Sequence, residues 1–318
     1  MTILWCGGED LDFADIGYYT RTETSYGVDT TFSRMSFEGT VPNSNIIFPT
    51  IAPFSSIWLH SRIYIDSVTN AMALGVSKSG TGAWIGFGLG SAMNKAAIYK
   101  YDGTTATKLV EESTGTIQYN ATVDVNLVNY STSGQVVVYV NGLRVLDYTG
   151  DVTSASQTSL DRLHLFLGDN MHMSQIIMAD EDTRLMHVKT HAPNAAGDSS
   201  TNWTGAYTDI DETVISYADK VYSSTDNADF QCNLTGMPTG SYRVKAVKVV
   251  ARGFDGTGAM GMQLGVKTNG TVNVGNTETC SGYWKSKERL MTLNPVTGVE
   301  WTANDIENLQ LNIRAKAL

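Results

Sequence analysis

Residues 135–147, Gln135-Val-Val-Val-Tyr-Val-Asn-Gly-Leu-Arg-Val-Leu-Asp147, contain the strongest indication of the fold class of this chain. At their centre, Asn141-Gly142 supplies two residues that tolerate positive φ, as a tight hairpin turn requires. The segments on either side, 135–140 and 143–148, are short apolar runs of strand length. The stretch therefore predicts two antiparallel strands joined by a two-residue turn.

Further strands are predicted on both sides of this hairpin. Residues 57–65 alternate, with Ile57, Leu59, Ile63 and Ile65 on one face and Trp58, His60, Arg62 and Tyr64 on the other. Asp102-Gly103 is a second sharp turn signal between two apolar runs. A helix is predicted only at 302–308, where Thr302 can cap the first turn. Many short strands with turns between them predict an all-β chain built from β-sandwich domains.

Charge and composition exclude several classes of protein. The 318 residues carry 22 Lys and Arg against 32 Asp and Glu, a formal net charge of −10. This acidic balance argues against nucleic acid as a partner. The apolar runs, such as 136–140, are far shorter than the ~20 residues of a spanning helix, so we expect no membrane insertion. The first ten residues lack a basic and then apolar region, so we also expect no secretory signal.

The three cysteines are too few and too widely spaced for a disulfide framework. Cys6, Cys232 and Cys280 are predicted to be buried free thiols, with a Cys232–Cys280 bridge as the alternative.

One polar run indicates the domain organisation. The run 192–202 is polar, rich in small residues and without periodicity. We therefore predict a first domain at 1–190, a linker at 191–203 and a second, smaller β-sandwich at 204–318. The alternating segment 309–317 is expected either at the centre of its own sheet or paired with a neighbouring molecule.

The hairpin motif carries a resemblance to a known fold family. Residues 138–145, Val-Tyr-Val-Asn-Gly-Leu-Arg-Val, and the following segment Leu163-His-Leu-Phe-Leu-Gly-Asp-Asn170 resemble the laminin-G-like, concanavalin-like jelly roll. The resemblance covers roughly residues 1–190. It implies a two-sheet jelly-roll sandwich for the first domain.

A second resemblance concerns the whole chain. The opening Ile3-Leu-Trp-Cys-Gly-Gly-Glu-Asp-Leu-Asp-Phe13 resembles jelly-roll proteins among bacteriophage structural genes, and the segments 241–249 and 294–302 resemble a C-terminal domain of such proteins. The resemblance implies a virion protein of the tail or tail tip, made in the host cytoplasm. Its implied partners are other virion proteins and further copies of itself, with the second domain docking or oligomerising. A capsid-decorating or head-fibre protein is the alternative.

Catalysis is not expected. Glucanases of the jelly-roll class carry paired carboxylates in an E-x-D-x-x-E pattern, as a retaining glycosidase needs two acids across the scissile bond. The acidic runs here lie at 9–15, 180–182 and 209–212, and none matches that pattern. We predict that the protein is not an enzyme, with a glycan-cleaving enzyme as the alternative.

Binding of a host-surface glycan is the expected activity of the first domain. Sugar rings stack on aromatic faces, and nearby carboxylates accept from hydroxyls. The candidate residues are Trp58, Tyr64, Trp84, Tyr101 and Asp102, with core packing as the alternative for each ring. No cofactor is predicted except a candidate structural calcium at Asp169, Asn170 and Asp180, whose oxygens suit that ion. The alternative there is that these residues cap turns.

Overall fold

The computed structural model describes residues 3–7, 19–22, 36–39, 44–48, 51–65, 72–153, 157–167, 171–212 and 216–318. Apart from one short helix and one 3-10 turn, the regular structure of these residues consists of strands, which confirms the all-β prediction. The described residues divide into two compact units, one ending at Val188 and the other comprising Lys189–Leu318.

The first unit is a sandwich of antiparallel strands. In the described part of the chain these are β1 (Ile3–Gly7), β2 (Tyr19–Thr22), β3 (Ser36–Gly39), β4 (Ser44–Ile47), β5 (Ile57–Ile65), β6 (Met72–Ser77), β7 (Trp84–Leu89), β8 (Ala96–Tyr101), β9 (Ala106–Glu111), β10 (Asn120–Val128), β11 (Gly134–Val140), β12 (Leu143–Gly150), β13 (Arg162–Leu167) and β14 (Met171–Ala179). One sheet has the order β12-β11-β10-β5-β14-β3-β2, with β1 also paired to β14. The second has the order β4-β13-β6-β7-β8-β9.

The chain crosses repeatedly between the two sheets, as a jelly roll requires. It leaves the first sheet after β5, returns at β10, and crosses again before and after β13. The predicted hairpin lies in the first sheet, where β11 pairs with β12 and Asn141 and Gly142 both adopt positive φ. The fold class predicted from this hairpin is therefore confirmed.

Strand alternation forms the core between the two sheets. On β5, Ile57, Leu59 and Ile63 are at most 2% exposed, and Ile57 and Leu59 line the same interior gap as Ile85 of β7. Because successive side chains of a strand point to opposite faces, the residues between them point away from the second sheet. That geometry positions Trp58 and His60 on the far face.

Two glycines let β6 and β7 approach closely. A Cβ added to Gly86 would lie 2.3 Å from the Leu74 carbonyl oxygen and 2.5 Å from the Gly75 Cα. Gly75 and Gly86 are opposite one another in the register of the two strands. The absence of a side chain at Gly75 and Gly86 therefore allows this close approach of the two strands.

The second unit packs a five-stranded sheet against a two-stranded ribbon. Its elements are β15 (Pro193–Ala196), a 3-10 turn (Tyr207–Asp209), β16 (Asp229–Leu234), β17 (Val247–Gly253), β18 (Met260–Thr268), β19 (Thr271–Thr279), β20 (Lys285–Met291), α1 (Ala303–Glu307) and β21 (Gln310–Ala317). The sheet order is β15-β16-β21-β18-β19, and β17 pairs with β20. Val249 and Met291 of the ribbon share one buried cluster with Leu264, Trp301 and Ile313. The predicted cap at Thr302 is present, since its hydroxyl accepts from the Asp305 N–H at 3.2 Å.

The structure corrects the predicted linker at 191–203 and decides between the two alternatives for segment 309–317. The segment predicted as a linker contains β15, which pairs with β16 and so forms part of the sheet of the second unit. This strand forms because it pairs with β16, and its sequence has no periodicity of its own. The polar composition of the segment therefore did not predict a strand. The C-terminal segment is central, because β21 pairs with β16 on one side and β18 on the other. Its two edges are therefore paired within its own unit, and Ile313 on its apolar face belongs to the buried cluster of that unit.

The cysteines are free. Cys232 and Cys280 are buried, Cys6 is half-buried, and no disulfide joins any of them. The alternative of a Cys232–Cys280 bridge is thus not realised. Burial raises the pKa of Cys232 to about 12, which keeps this thiol protonated and unreactive.

Candidate functional site

The far face of the first sheet gathers polar and aromatic side chains from neighbouring strands. Trp58 and His60 come from β5, and Asp124 of β10 lies opposite His60 in the register. Tyr139 of β11 lies opposite Asp124 on its other side. These side chains share one face because cross-strand partners point the same way.

A buried hydrogen-bonded group lies at the centre of this face. The Asp124 Oδ1 atom is 2.8 Å from His60 Nδ1 and accepts from the Thr183 hydroxyl at 2.8 Å. The three residues are 2%, 1% and 0% exposed for His60, Asp124 and Thr183. A buried carboxylate requires such partners. The group therefore ties the segment that follows β14 onto the sheet.

Above this group, two rings and a guanidinium lie close together. Trp58 and Tyr139 have centroids 5.7 Å apart and planes 22° from parallel. The Arg184 Cζ atom is 4.5 Å from the Tyr139 ring centroid and 5.7 Å from that of Trp58. A guanidinium at this distance is attracted to the electron-rich ring face. Thr183, bonded to Asp124, positions its neighbour Arg184 over the rings.

Asp182 fixes the orientation of Arg184. The Arg184 Nε and Nη2 atoms donate to the two Asp182 carboxylate oxygens at 3.0 and 2.5 Å, a bidentate contact. This contact raises the pKa of Arg184 and lowers the pKa of Asp182, so both groups stay charged. Their side chains are 37% and 45% exposed. A fixed cation and a fixed carboxylate therefore reach solvent beside two half-buried rings.

We name Trp58, Tyr139, Asp182 and Arg184 the polar-face site. Its rings offer an apolar surface, Arg184 offers N–H donors, and Asp182 offers acceptor oxygens. A sugar ring presents apolar C–H faces and a rim of hydroxyls that donate and accept. The site thus matches the two kinds of surface that a sugar has.

The structure separates the five residues predicted to bind glycan. Trp58 belongs to the polar-face site, and Tyr64 lies further along β5 beside Tyr119 and His172, with centroids at 6.4 and 5.6 Å. Trp84 and Tyr101 lie on the other sheet, stacked on each other at 5.4 Å. Because β5 and β7 belong to different sheets, these rings do not form one site.

Trp84 and Asp102 both have structural roles, and Trp84 fits the alternative of core packing. Trp84 is 6% exposed and packs edge-on against Phe166 at 4.8 Å. The Asp102 Oδ1 atom accepts from the N–H groups of Thr104 and Thr105, both at 2.8 Å. Those bonds lower the pKa of Asp102 to about 2. Its carboxylate closes the turn after β8.

The calcium prediction stays a prediction. Asp169 and Asn170 lie outside the described residues, and Asp180 is exposed at the end of β14. Within the residues that the structure describes, no group of three or more His, Cys, Asp and Glu side chains is arranged to hold a metal.

Three residues of the site were not predicted from the sequence. Tyr139 stands in the hairpin motif itself, where alternation with Val138 and Val140 already indicated the far face. Arg184 and Asp182 lie in an irregular segment after β14, which has no periodicity to place it. Only tertiary contacts bring them to the rings.

Comparisons with known proteins find only limited structural similarity. No family model matches the sequence, and no curated protein matches it. Among solved structures, an endo-β-1,4-glucuronan lyase from the fungus Trichoderma reesei is 11% identical over 57% of this chain and 96% of its own, with a TM-score of 0.39. A carbohydrate-binding module from Bacillus subtilis is 12% identical over 52% of this chain and 98% of its own, at 0.35. A galectin of Caenorhabditis elegans is 14% identical over 45% of this chain and 95% of its own, at 0.31. At these TM-scores the likeness assigns no function.

Among the helices of the residues that the structure describes, none is long and apolar enough to cross a bilayer.

Proposed function

We propose that this protein binds a host-surface glycan through the polar-face site. The observation that carries the proposal is the Trp58–Tyr139 ring pair, held beside an accessible Arg184–Asp182 ion pair. The buried His60–Asp124–Thr183 group holds this arrangement before any ligand arrives. Prior positioning of binding groups reduces the entropy lost on binding.

The same group supports a binding role rather than a catalytic one. A nucleophilic hydroxyl must pass its proton to a general base, as in Ser–His pairs. Here the Thr183 hydroxyl donates to the Asp124 Oδ1 atom, which His60 Nδ1 also contacts, and no hydrogen bond joins Thr183 to His60 among the contacts of this group. All three residues are at most 2% exposed, so a polymeric substrate does not reach them. The proposal is therefore a non-enzymatic adhesin.

Binding is tested with the full chain and purified lipopolysaccharide or capsular polysaccharide from candidate hosts, by isothermal titration calorimetry. Trp58→Ala should weaken binding about tenfold, equivalent to about 1.4 kcal/mol. Tyr101→Ala is the matched control, because this half-buried ring lies on the other sheet. Equal affinity of wild type and Trp58→Ala for every bound glycan would contradict the proposal.

Release of reducing ends or of unsaturated sugars from the same glycans would make the protein an enzyme. Such release, abolished by Asp124→Asn or Asp182→Asn in a folded variant, would replace the adhesin with the glycan-cleaving alternative.

The proposed location is the tail or tail tip of a bacteriophage particle, and the sequence resemblance supports it. In this proposal the first unit faces the host, and the second unit docks to other virion proteins or to further copies of the chain. Antibody against the purified protein should label tails in electron micrographs of particles. Label on heads would favour the capsid-decorating alternative, and its absence from particles would refute the virion assignment.

A further inference from the structure

The charges at the polar-face site bear on the kind of glycan that it takes. Arg184 is the cation of that site, and the next cation on this face of β5 is Arg62, which lies four residues from Trp58. The Nε and Nη2 atoms of Arg184 donate to the carboxylate of Asp182, and its backbone N–H donates to the same group at 3.0 Å. These bonds fix the carboxylate beside the guanidinium. An anion that approaches Arg184 therefore also meets the negative charge of Asp182.

A second guanidinium–carboxylate pair lies on the same face of the sheet. Arg144 of β12 is the cross-strand partner of Tyr139. Asp147 is the partner of Val137, two residues before Tyr139 on that face. Arg144 and Asp147 form an ion pair, and their side chains are 53% and 35% exposed. The Gln135 Nε2 atom donates to Asp147 Oδ1 at 2.7 Å and fixes this carboxylate. Tyr139 therefore neighbours both ion pairs.

A third carboxylate lies beneath the rings. Asp124 is buried, and its charge contributes, after the hydrogen bond from Asp182, to the raised pKa of Arg184. The site and its border thus hold two guanidinium groups and three carboxylates, those of Arg144, Arg184, Asp124, Asp147 and Asp182. Each guanidinium already has a carboxylate partner. An anionic ligand could pair with either cation only next to an acid, and such contact between like charges costs free energy.

Neutral hydroxyl groups fit the same ion pair without this cost. The contacts of Arg184 with Asp182 use Nε and Nη2, and none of the described residues forms a hydrogen bond with Nη1. A sugar hydroxyl both donates and accepts, whereas a carboxylate only accepts. Two adjacent hydroxyls can therefore accept from Nη1 and donate to Asp182 while the ion pair stays intact. A ligand carboxylate in that position would leave the oxygens of Asp182 without a donor.

We infer that the polar-face site takes neutral glycans, namely hexose polymers or oligosaccharides with adjacent free ring hydroxyls, and that it excludes uronate, sialylated and phosphorylated glycans. The inference rests on the proposed function, because it names the glycan class that the same site binds. Trp58 and Tyr139 pack against the sugar ring, and its hydroxyls bridge Arg184 and Asp182. Asp147 and Asp182 repel anionic substituents, so selectivity comes from repulsion as well as from contacts. The net charge of −10 acts in the same direction at longer range.

The test compares glycans that differ only in charge. Polygalacturonate, alginate and hyaluronate are each paired with their carboxyl-reduced forms, in which the uronates have become neutral hexoses with the same linkages. Dextran, mannan and the host glycans complete the panel, which is titrated by calorimetry into the full chain and into Trp58→Ala. The affinity that depends on Trp58 should be at least about tenfold higher for the reduced member of a pair. It should change little from low to high salt, because salt screens charges and not stacking.

Asp182→Asn tests the repulsion directly. The change removes a negative charge from the site and releases Arg184, so the ratio of neutral to acidic affinity should fall about tenfold. Asp182→Glu keeps the charge and should keep the ratio close to that of the wild type. Asp219→Asn makes the same change in net charge at an exposed position of the second unit and should leave the ratio unchanged. Circular dichroism verifies that the variants are folded.

The inference and the proposed function fail on different results. Tighter binding of an acidic glycan than of its reduced form, lost in Trp58→Ala, would overturn the inference and leave the proposed function standing. An unchanged affinity ratio in folded Asp182→Asn would do the same. A preference for neutral forms that persists in Trp58→Ala would place the selectivity outside the polar-face site and overturn the inference. Absence of Trp58-dependent binding across the panel would refute both.

Discussion

Asp124 joins its strand to a segment far away in sequence, so the loss of its hydrogen bonds should destabilise the first unit. Its carboxylate is 1% exposed and accepts from both His60 and Thr183. Thr183→Val removes the hydroxyl that donates to Asp124, so the buried carboxylate has one hydrogen bond fewer. We expect a loss of about 1–3 kcal/mol in the free energy of unfolding, measured by urea denaturation.

Thr122→Val is the matched control, since Thr122 lies on the same strand and is only half-buried. It should change the free energy of unfolding by less than about 0.5 kcal/mol. Thr183→Val should also weaken glycan binding, because it releases the segment that positions Arg184. A Thr183→Val protein with wild-type stability and wild-type glycan affinity would show that the buried group does not support the site.

His164 gives the first unit a predicted dependence on pH. It is 5% exposed and packs on Phe166 with ring centroids 4.0 Å apart. Burial lowers the pKa of His164 to about 4 from an ordinary 6.5. Between these values the unfolded chain binds a proton that the folded chain does not, so stability is lost as the pH falls from 6.5 towards 4.

The size of this loss is roughly 3 kcal/mol for a shift of this magnitude. Comparison of wild type with His164→Phe across that range isolates the contribution, since the aromatic packing remains. Above pH 6.5, the difference in unfolding free energy between the two proteins should be constant. Below pH 6.5, the wild type should lose stability relative to His164→Phe. A difference that does not change with pH would show that His164 titrates normally.

At the scale of single residues, alternation predicted which way a side chain points but not what covers it. The far-face orientation of Trp58 and His60 follows from the period of β5, and the structure agrees. That His60 would be buried did not follow, because its partner Asp124 also binds Thr183, which comes from a segment 123 positions after His60. Contacts of that kind leave no local pattern in the sequence.

At the scale of elements, the β6–β7 pair depends on its glycines. Gly86→Ala places a methyl group 2.3 Å from the Leu74 carbonyl oxygen, which requires the strands to separate. We expect a loss of at least about 3 kcal/mol, or failure to fold, in thermal denaturation of the purified protein.

Gly270→Ala provides the control for this prediction. Gly270 has a φ of 75° and no atom within 4 Å of its added Cβ, so only the backbone conformation is strained. Its cost should be about 1–2 kcal/mol. A Gly86→Ala protein no less stable than Gly270→Ala would rule out the close approach of the two strands.

Elements with strong local signals were predicted, and those formed by pairing alone were not. The β11–β12 hairpin and the cap of α1 have turn and cap residues at the required positions. In contrast, β15 is a Pro-Asn-Ala-Ala segment that becomes a strand only because the edge of β16 is available to pair with it. Its composition is that of a loop, so the boundary of the second unit was predicted too far along the chain.

At the scale of the whole molecule, each unit has its own buried core and should fold separately. A fragment comprising 189–318 should show a single cooperative thermal transition, since it retains β15 and the cluster around Trp301. A fragment of 204–318 loses β15 and the bond from the Gln231 N–H to the Ser199 carbonyl. It should melt at a lower temperature.

Circular dichroism of both fragments checks this prediction, with full-length protein as reference. If the two fragments melt at the same temperature, β15 is not part of the folded second unit. If neither shows a cooperative transition, the two units depend on each other and the division at Val188 does not describe independent domains.

A crystal structure of the full chain with a bound oligosaccharide would show whether Trp58, Tyr139, Asp182 and Arg184 bind a glycan. The oligosaccharide would come from the host glycan that binds most tightly in calorimetry. We expect electron density for a sugar ring against Trp58 and Tyr139, with hydroxyls in hydrogen-bond range of Arg184 and Asp182. Sugar density in the first unit at Trp84 and Tyr101, with the polar-face site empty, would refute glycan binding by these four residues.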